Sequence, residues 1–282
     1  MSDALRRVAA RPSIAAVLKR PGVESVVSTV LRGANVRELL RFVARELRGS
    51  EVVATYRLRH SRAHIAVRHG GPDVLALDEI FYQRHYELPA PIESSLRSLG
   101  RPPTIVDLGA NVGLFGAFMR AQFPAARMVS VEPDPWNLTV LRRCVDANSR
   151  GDDWEVVEAV ASTSNGSARF VTGRYSLSHL AENDEDDAEI VPSIDVFPRL
   201  AEADLVKMDI EGGEWAILAD PRLGDLRAIL VLEYHPQLAP EEDTGAAVKR
   251  LLSAARFEVA PIFHRPDGVG MLWAWPAGEP AP

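Results

Sequence analysis

Cysteine and lysine are almost absent from this chain of 282 residues. Cys144 stands alone, and Lys19, Lys207 and Lys249 are the only lysines beside a large excess of arginine. A single cysteine excludes an intrachain disulfide and any cysteine-built metal cluster. Its place in a helical stretch beside Leu141 and Val145 marks a core thiol rather than a reactive one. The lysine shortage reads as genome composition before function. Long apolar runs are missing too: nothing approaches the ~18 consecutive apolar residues of a membrane span. The first 19 residues scatter Arg6, Arg7, Pro12 and Lys19 and hold no apolar stretch followed by a small-residue cleavage site. They predict no secretory signal, and the expectation is a soluble cytoplasmic protein.

What is present is ordinary globular composition, 46% hydrophobic and 25% charged, which argues against a disordered or fibrous chain. The net charge of -7 hides an asymmetry, because residues 1–62 carry 13 basic against 5 acidic side chains, leaving 19 against 34 in the remainder. Such a split suits a basic segment folded onto an acidic body, a position that also suits a homo-oligomer contact. It could also serve a membrane surface. Nucleic acid ranks last as a partner, since only Phe42 and Tyr56 interleave with these arginines and the rest of the chain is acidic.

Apolar residues recur at helical spacing from Val23 to Leu47, with a break expected near Gly33, and Val52–Leu58 and His64–Val67 read as strands. A helix is expected through Ile80–Tyr86, putting Tyr82 and Tyr86 one turn apart, either over a ligand or in a core seam. From Arg101 the texture changes to short apolar strands at Thr104–Leu108, Met128–Val131, Trp154–Val160, Leu205–Met208 and Ala228–Leu232. The first two are followed by helices at Leu114–Gln122 and Pro135–Ala147. That alternation predicts an α/β class fold, a doubly wound and mostly parallel sheet over residues 101–282, preceded by a mainly helical cap over residues 1–100. Between the third and fourth strands, residues 169–198 show no clear helix. This insertion carries the acidic run 182–187, which reads as a solvated loop or a lid and does not match a calcium loop.

The segment Val106-Asp107-Leu108-Gly109-Ala110-Asn111-Val112-Gly113 places glycines between a strand and a helix, where α/β sheets bind nucleotides. Asn111 stands where the dinucleotide fingerprint has its middle glycine, which disfavours a pyrophosphate and hence a nicotinamide-dependent oxidoreductase. A carboxylate at Asp107 suits a ligand bearing an ammonium group. Glu132, ending the second strand, suits the hydroxyls of a ribose. An adenosine carrying an amino acid, S-adenosylmethionine, meets both demands. Asp209 ends the fourth strand, followed by Glu211, Gly212, Gly213 and Glu214, and the fifth delivers Glu233 and His235 to the same rim. For Glu214, ordinary helix N-terminal chemistry is an equal alternative to a functional role.

The order VDLGANVG, VEPDPWNLTVLRRCVDAN, DLVKMDIEGGEWAIL and LVLEYH resembles the FkbM family of S-adenosylmethionine-dependent methyltransferases, many of which methylate hydroxyls of sugars and natural products. The resemblance spans about residues 75–237, and D-x-E-G-x-E is its most specific sign. It implies that Asp107, Gly109, Asn111 and Gly113 hold the methionine end, Glu132 the ribose, and Glu158, Ala159 and the two residues after them the adenine; Tyr86 joins the expected cofactor contacts from its own place just before the glycine motif. The stretch YSLSHL departs from the family's serine-rich SSL at Tyr175 and His179.

Methyl transfer to a hydroxyl needs the oxygen deprotonated, so a base or a cation belongs beside it. His235 is expected as the base, with Asp209 and Glu233 orienting it or binding Mg²⁺. The expected activity is O-methylation of a hydroxylated small molecule, a sugar or secondary metabolite. Methylation at nitrogen or carbon, other sulfonium chemistry, and a non-catalytic cofactor-binding protein stand as alternatives.

Overall fold

A computed structural model describes residues 21–49, 52–173, 178–181 and 188–278. The start of the chain with Lys19, residues 174–177 with Tyr175, and the acidic run 182–187 lie outside the described residues.

The carboxyl-terminal two thirds are built on five short strands, β3 (Thr104–Leu108), β4 (Arg127–Val131), β5 (Trp154–Val157), β10 (Leu205–Met208) and β11 (Ile229–Tyr234). All five run parallel. Apart from the edge strand β5, where only Trp154 is buried, their side chains are buried almost continuously, as both faces of a covered parallel sheet require. Two further strands, β12 (Phe257–His264) and β13 (Gly270–Pro276), complete the sheet in the order β12-β13-β11-β10-β3-β4-β5, with β13 antiparallel to both neighbours. The order reverses at β3, so the loops leaving β3 and β10 meet at a topological switch point, the place where open α/β sheets bind ligands. The loop after β3 leads into α5 (Leu114–Gln122), β4 into α6 (Pro135–Asn148), and the loop after β10 into α8 (Glu214–Ala219).

The expected third strand is two elements. A tight turn in which the Ala159 N–H bonds the Val157 carbonyl at 3.1 Å ends β5, and β6 (Val160–Ser162) enters a second sheet. That sheet, ordered β6-β9-β7-β8, uses β7 (Gly166–Val171), β8 (His179–Leu180) and β9 (Ala188–Asp195) from the insertion that lacked a clear helix. Its strands are buried on few positions, β9 on Val191 and Ser193 alone, so their apolar signal is weak.

The basic amino-terminal segment forms α1 (Pro21–Gly33), α2 (Leu39–Leu47) and the antiparallel pair β1 (Val53–Arg57) and β2 (His64–Arg68). The break at Gly33 has a packing cause: a Cβ there would press on Leu39 and Phe42. Phe42, Tyr56 and Ile65 belong to the same buried cluster as Phe115, Met119 and Trp154, so the cap shares a core with the sheet. Polar ties reinforce this: Asn148 on α6 exchanges hydrogen bonds with the His64 backbone at 2.8 Å, and Arg68 reaches Asn137 on α6 at 2.7 Å.

The helix expected through Ile80–Tyr86 lies earlier. It starts as α3 (Asp73–Leu77), widens into a π-helical turn over Asp78–Gln83, and stops at Arg84 in the left-handed region (φ 60°). Tyr86 is therefore outside the helix, and the one-turn relation to Tyr82 does not exist. The remaining helices are α4 (Ala90–Ser98), α7 (Phe197–Leu200) and α9 (Thr244–Ala254). No helix of the described residues is long and apolar enough to cross a membrane.

Candidate active site

The turn after β3 is held by its neighbours. The Gly109 and Ala110 N–H groups both donate to the Val131 carbonyl at 3.0 Å. Gly109 has φ 75°, and a Cβ on it would collide with the Asp209 carbonyl oxygen, so only glycine lets the loops after β3 and β10 approach this closely. Asn111 is also left-handed (φ 50°), and its N–H donates to Glu132 Oε2 at 2.7 Å. Glu132 Oε1 accepts from the Asp134 N–H at 3.0 Å and from Asn137 Nδ2 at 3.3 Å. Burial nonetheless outweighs these bonds and raises the Glu132 pKa to about 7.

These residues wall a first cavity. Gly109, Asn111, Glu132 and Asn137 give it polar edges, and Val160, Ala161, Phe170 and Leu180 an apolar side. Ser178 also lines it and donates to Asp134 Oδ2 at 2.6 Å, which ties the described end of the YSLSHL stretch to the loop that follows Glu132. Two expected adenine neighbours are elsewhere. Glu158 is solvent-exposed and ion-paired with Arg142, and Ala159 is buried away from the cavity wall. Asp107 does not reach the wall either. Its fully buried oxygens have no ordinary hydrogen-bond partner and face the Lys207 ammonium at 3.4 Å. Burial raises its pKa against the pull of Lys207.

A second cavity of about 380 Å³ opens on the other side of the β10 loop, lined by Glu79, Ile80, Tyr86, Phe115, Glu233, His235 and Arg265 among others. Gly109, Asn111, Asp209 and Glu211 line both cavities and so form the seam between them. Tyr86 donates its hydroxyl to Asp209 Oδ2 at 3.3 Å, which brings this expected residue to the seam and the second cavity rather than to the first. Lys207 Nζ lies 3.4 Å from Asp209 as well as from Asp107 and donates to the Gly109 carbonyl at 2.7 Å. Burial works against charge on Asp209, but Lys207 and His235 outweigh it and hold its carboxyl below the usual range.

His235 Nδ1 meets Glu214 Oε1 at 3.1 Å, while Nε2 points at Glu211 Oε2 (3.6 Å) and Asp209 Oδ1 (3.9 Å). Glu214 is fully buried and also accepts the Ile210 and Gly212 N–H groups at 2.8 Å each. It is thus the post around which the loop after β10 folds, beyond the helix N-terminal role open to it from sequence. Burial disfavours a charged imidazole, but Glu214, Asp209 and Glu211 prevail and raise the His235 pKa to about 10. An imidazole so placed keeps its proton at neutral pH, which counts against the expected base role. Burial and the Asp209 charge raise Glu233 and, with His235 opposing, Glu211. The pair expected to bind Mg²⁺ is not the set that converges: Asp209, Glu211 and His235 bring ligand atoms within 4.8 Å of one another, without Glu233.

Lys207 and Glu211 were missed as site residues. A lone lysine inside the apolar strand LVKM, two residues before Asp209 and therefore on the same face, was a readable signal.

A buried strand-end acid, Glu132, and a glycine turn wall one cavity beside a carboxylate-rich second one, at the switch point of a doubly wound sheet. Residues 107–259 match the model of the methyltransferase FkbM domain, and the chain belongs to that family of methyltransferases. It is 25% identical over 227 residues to "Methyltransferase 1" of Beauveria bassiana (strain ARSEF 2860), covering 70% of this chain and 83% of that protein. It is 32% identical over 88 residues to "Methyltransferase sdnD" of Sordaria araneosa, a match spanning 31% of each chain. Among solved structures it is similar to precorrin-6y C5,15-methyltransferase from Geobacter metallireducens GS-15, with TM-score 0.40 and 16% identity over 69% of this chain and 87% of that one.

Proposed function

We propose that this enzyme transfers a methyl group from S-adenosylmethionine to a hydroxyl of a small molecule, a sugar or secondary metabolite. The observation that carries the reading is the seam: Asp209 and Glu211 are shared by a cavity walled by Glu132 and one walled by Glu233 and His235. The first cavity is assigned to the adenosine end of the cofactor. Glu132, fixed by three donors, offers the remaining lone pair of Oε2 to a ribose hydroxyl, and Val160, Ala161, Phe170 and Leu180 give an adenine an apolar face. Asp107, neutralised by Lys207, supports the turn from behind. Bound there, S-adenosylmethionine supplies an electrophilic methyl on a sulfonium.

In the second cavity the chain's own residues align the acceptor and take its proton. Alignment alone reaches effective molarities of ~10⁵ to 10⁸ M in favourable cases. Glu233 is assigned as proton acceptor, because it lines the second cavity outside the cluster of Asp209, Glu211 and His235 and, pushed up to about 8 by burial and the Asp209 charge, gives up its own proton well before His235 does. His235, surrounded by Glu214, Asp209 and Glu211, orients and stabilises charge instead. Ala76, Glu79, Ile80 and Tyr86 line this cavity from the region before residue 100, so the cap is assigned a share in choosing the acceptor.

The test is calorimetry with S-adenosylmethionine, then an acceptor panel read by mass spectrometry for demethylated cofactor and an acceptor heavier by one methyl group. Absence of cofactor binding at millimolar concentration would sink the reading, and a methyl found on nitrogen or carbon would replace its hydroxyl part.

A further inference from the structure

The seam and the wall of the second cavity beside it hold three potential ligands that the proposed transfer does not require together. Asp209 and Glu211 come from the loop after β10, and His235 from the end of β11. His235 is 6% exposed, and its Nε2 makes no hydrogen bond; the nearest oxygens stand at 3.6 and 3.9 Å. Those gaps are too long for hydrogen bonds. They are close to the ~3.4 Å that separates two ligand atoms each 2.0–2.2 Å from one tetrahedral ion. The other ring nitrogen is already committed to Glu214, itself locked by two backbone N–H groups. A carboxylate behind the distal nitrogen is the arrangement that fixes the tautomer of a metal-ligating histidine and leaves Nε2 facing the ion. Two further features suit an ion: the carboxylates line open cavities on both sides, leaving room for an exogenous oxygen, and Glu233 stands at the same cavity without joining the cluster.

We infer that Asp209, Glu211 and His235 form a binding site for one divalent first-row transition-metal ion, held by an oxygen of each carboxylate and by His235 Nε2, whose proton the ion displaces to solvent. The imidazole sets the class. All-oxygen sites suit Mg²⁺, whereas mixed nitrogen and carboxylate sites suit Mn²⁺, Fe²⁺ or Zn²⁺. The ion's catalytic meaning rests on the methyltransferase reading: at the seam it would sit where an acceptor hydroxyl needs its acidity raised, with Glu233 free to take the proton. Its binding does not rest on that reading.

The probes are MnCl₂, ZnCl₂ and MgCl₂, titrated into the full chain after chelator treatment, by calorimetry and, for Mn²⁺, by electron paramagnetic resonance. S-adenosylmethionine binding is measured on the same samples. One Mn²⁺ or Zn²⁺ per chain is expected, with Mg²⁺ at least ten-fold weaker, and Glu211→Gln and His235→Gln each weakening Mn²⁺ binding at least ten-fold. The wild-type titration decides alone should either variant fail to fold: no saturable Mn²⁺ or Zn²⁺ binding at millimolar concentration overturns the site. Mn²⁺ binding unchanged in both folded variants overturns it equally. Cofactor binding without metal binding rejects the ion and leaves the methyltransferase reading standing; metal binding without cofactor binding does the reverse.

Discussion

Glu214 and His235 are bonded through Oε1 and Nδ1 at 3.1 Å, and the same carboxylate holds the backbone of the D-x-E-G loop. One buried acid therefore sets both the loop that carries Asp209 and Glu211 and the orientation of the imidazole facing them. In Glu214→Gln an amide nitrogen must face at least one of these donors. An unsatisfied buried group costs about 1–3 kcal/mol, so a lower melting temperature is expected. Turnover should fall more than ten-fold while cofactor affinity changes little, because Glu132 and the β3 turn are untouched. Calorimetry and steady-state rates check this; wild-type turnover in a folded Glu214→Gln protein would remove Glu214 as a positioning residue.

Lys207 bridges Asp107 and Asp209 at 3.4 Å each and is 4% exposed. Removing one partner of a buried ion pair leaves a charge without compensation, typically at 3–5 kcal/mol. Lys207→Met is expected to lose stability in that range by chemical denaturation. The double variant Lys207→Met with Asp107→Asn should recover part of it, since the second change removes the stranded charge. No recovery would mean that the lysine stabilises through Asp209 and the Gly109 carbonyl instead.

The parallel sheet was legible because its strands are buried on both faces and write themselves as apolar runs ended by glycine or acid, as in Thr104–Leu108 and Leu205–Met208. The second sheet was not: β9 alternates weakly, with Ile190 exposed and Val191 buried, and a strand pattern that shallow cannot be told from a loop. The positions of Glu132, Asp209, Glu233 and His235 were readable because they stand at the ends of β4, β10 and β11, where the structure has them lining the two cavities. The cluster of Asp209 and Glu211 with His235 depends on a left-handed Glu211 (φ 51°) and on the Glu214 anchor, conformational facts that residue spacing does not encode. Glu158, expected beside an adenine, sits in the two-residue turn between β5 and β6, exposed and paired with Arg142, a placement that strand periodicity does not encode.

Glu132 offers the clearest pH test. Burial raises its pKa from the ordinary 4.5 to about 7, so the folded protein binds this proton more tightly than the unfolded chain does. The stability it contributes is then full below pH 4.5 and is lost as pH rises through 7. The loss amounts to about 3 kcal/mol at the conversion of 1.36 kcal/mol per pKa unit. Chemical denaturation of wild type and Glu132→Gln between pH 4.5 and 8 isolates that slope. The variant carries a constant penalty for turning an amide nitrogen toward a backbone donor, but its stability should fall less steeply with pH. The cofactor follows the opposite sign. A ribose hydroxyl is held best by the ionised carboxylate, so wild-type affinity for S-adenosylmethionine should strengthen as pH rises through 7, with Glu132→Gln weaker at high pH and flatter throughout. Equal slopes in the two proteins, for stability and for cofactor binding alike, would show that Glu132 is neither the titrating group nor the ribose contact.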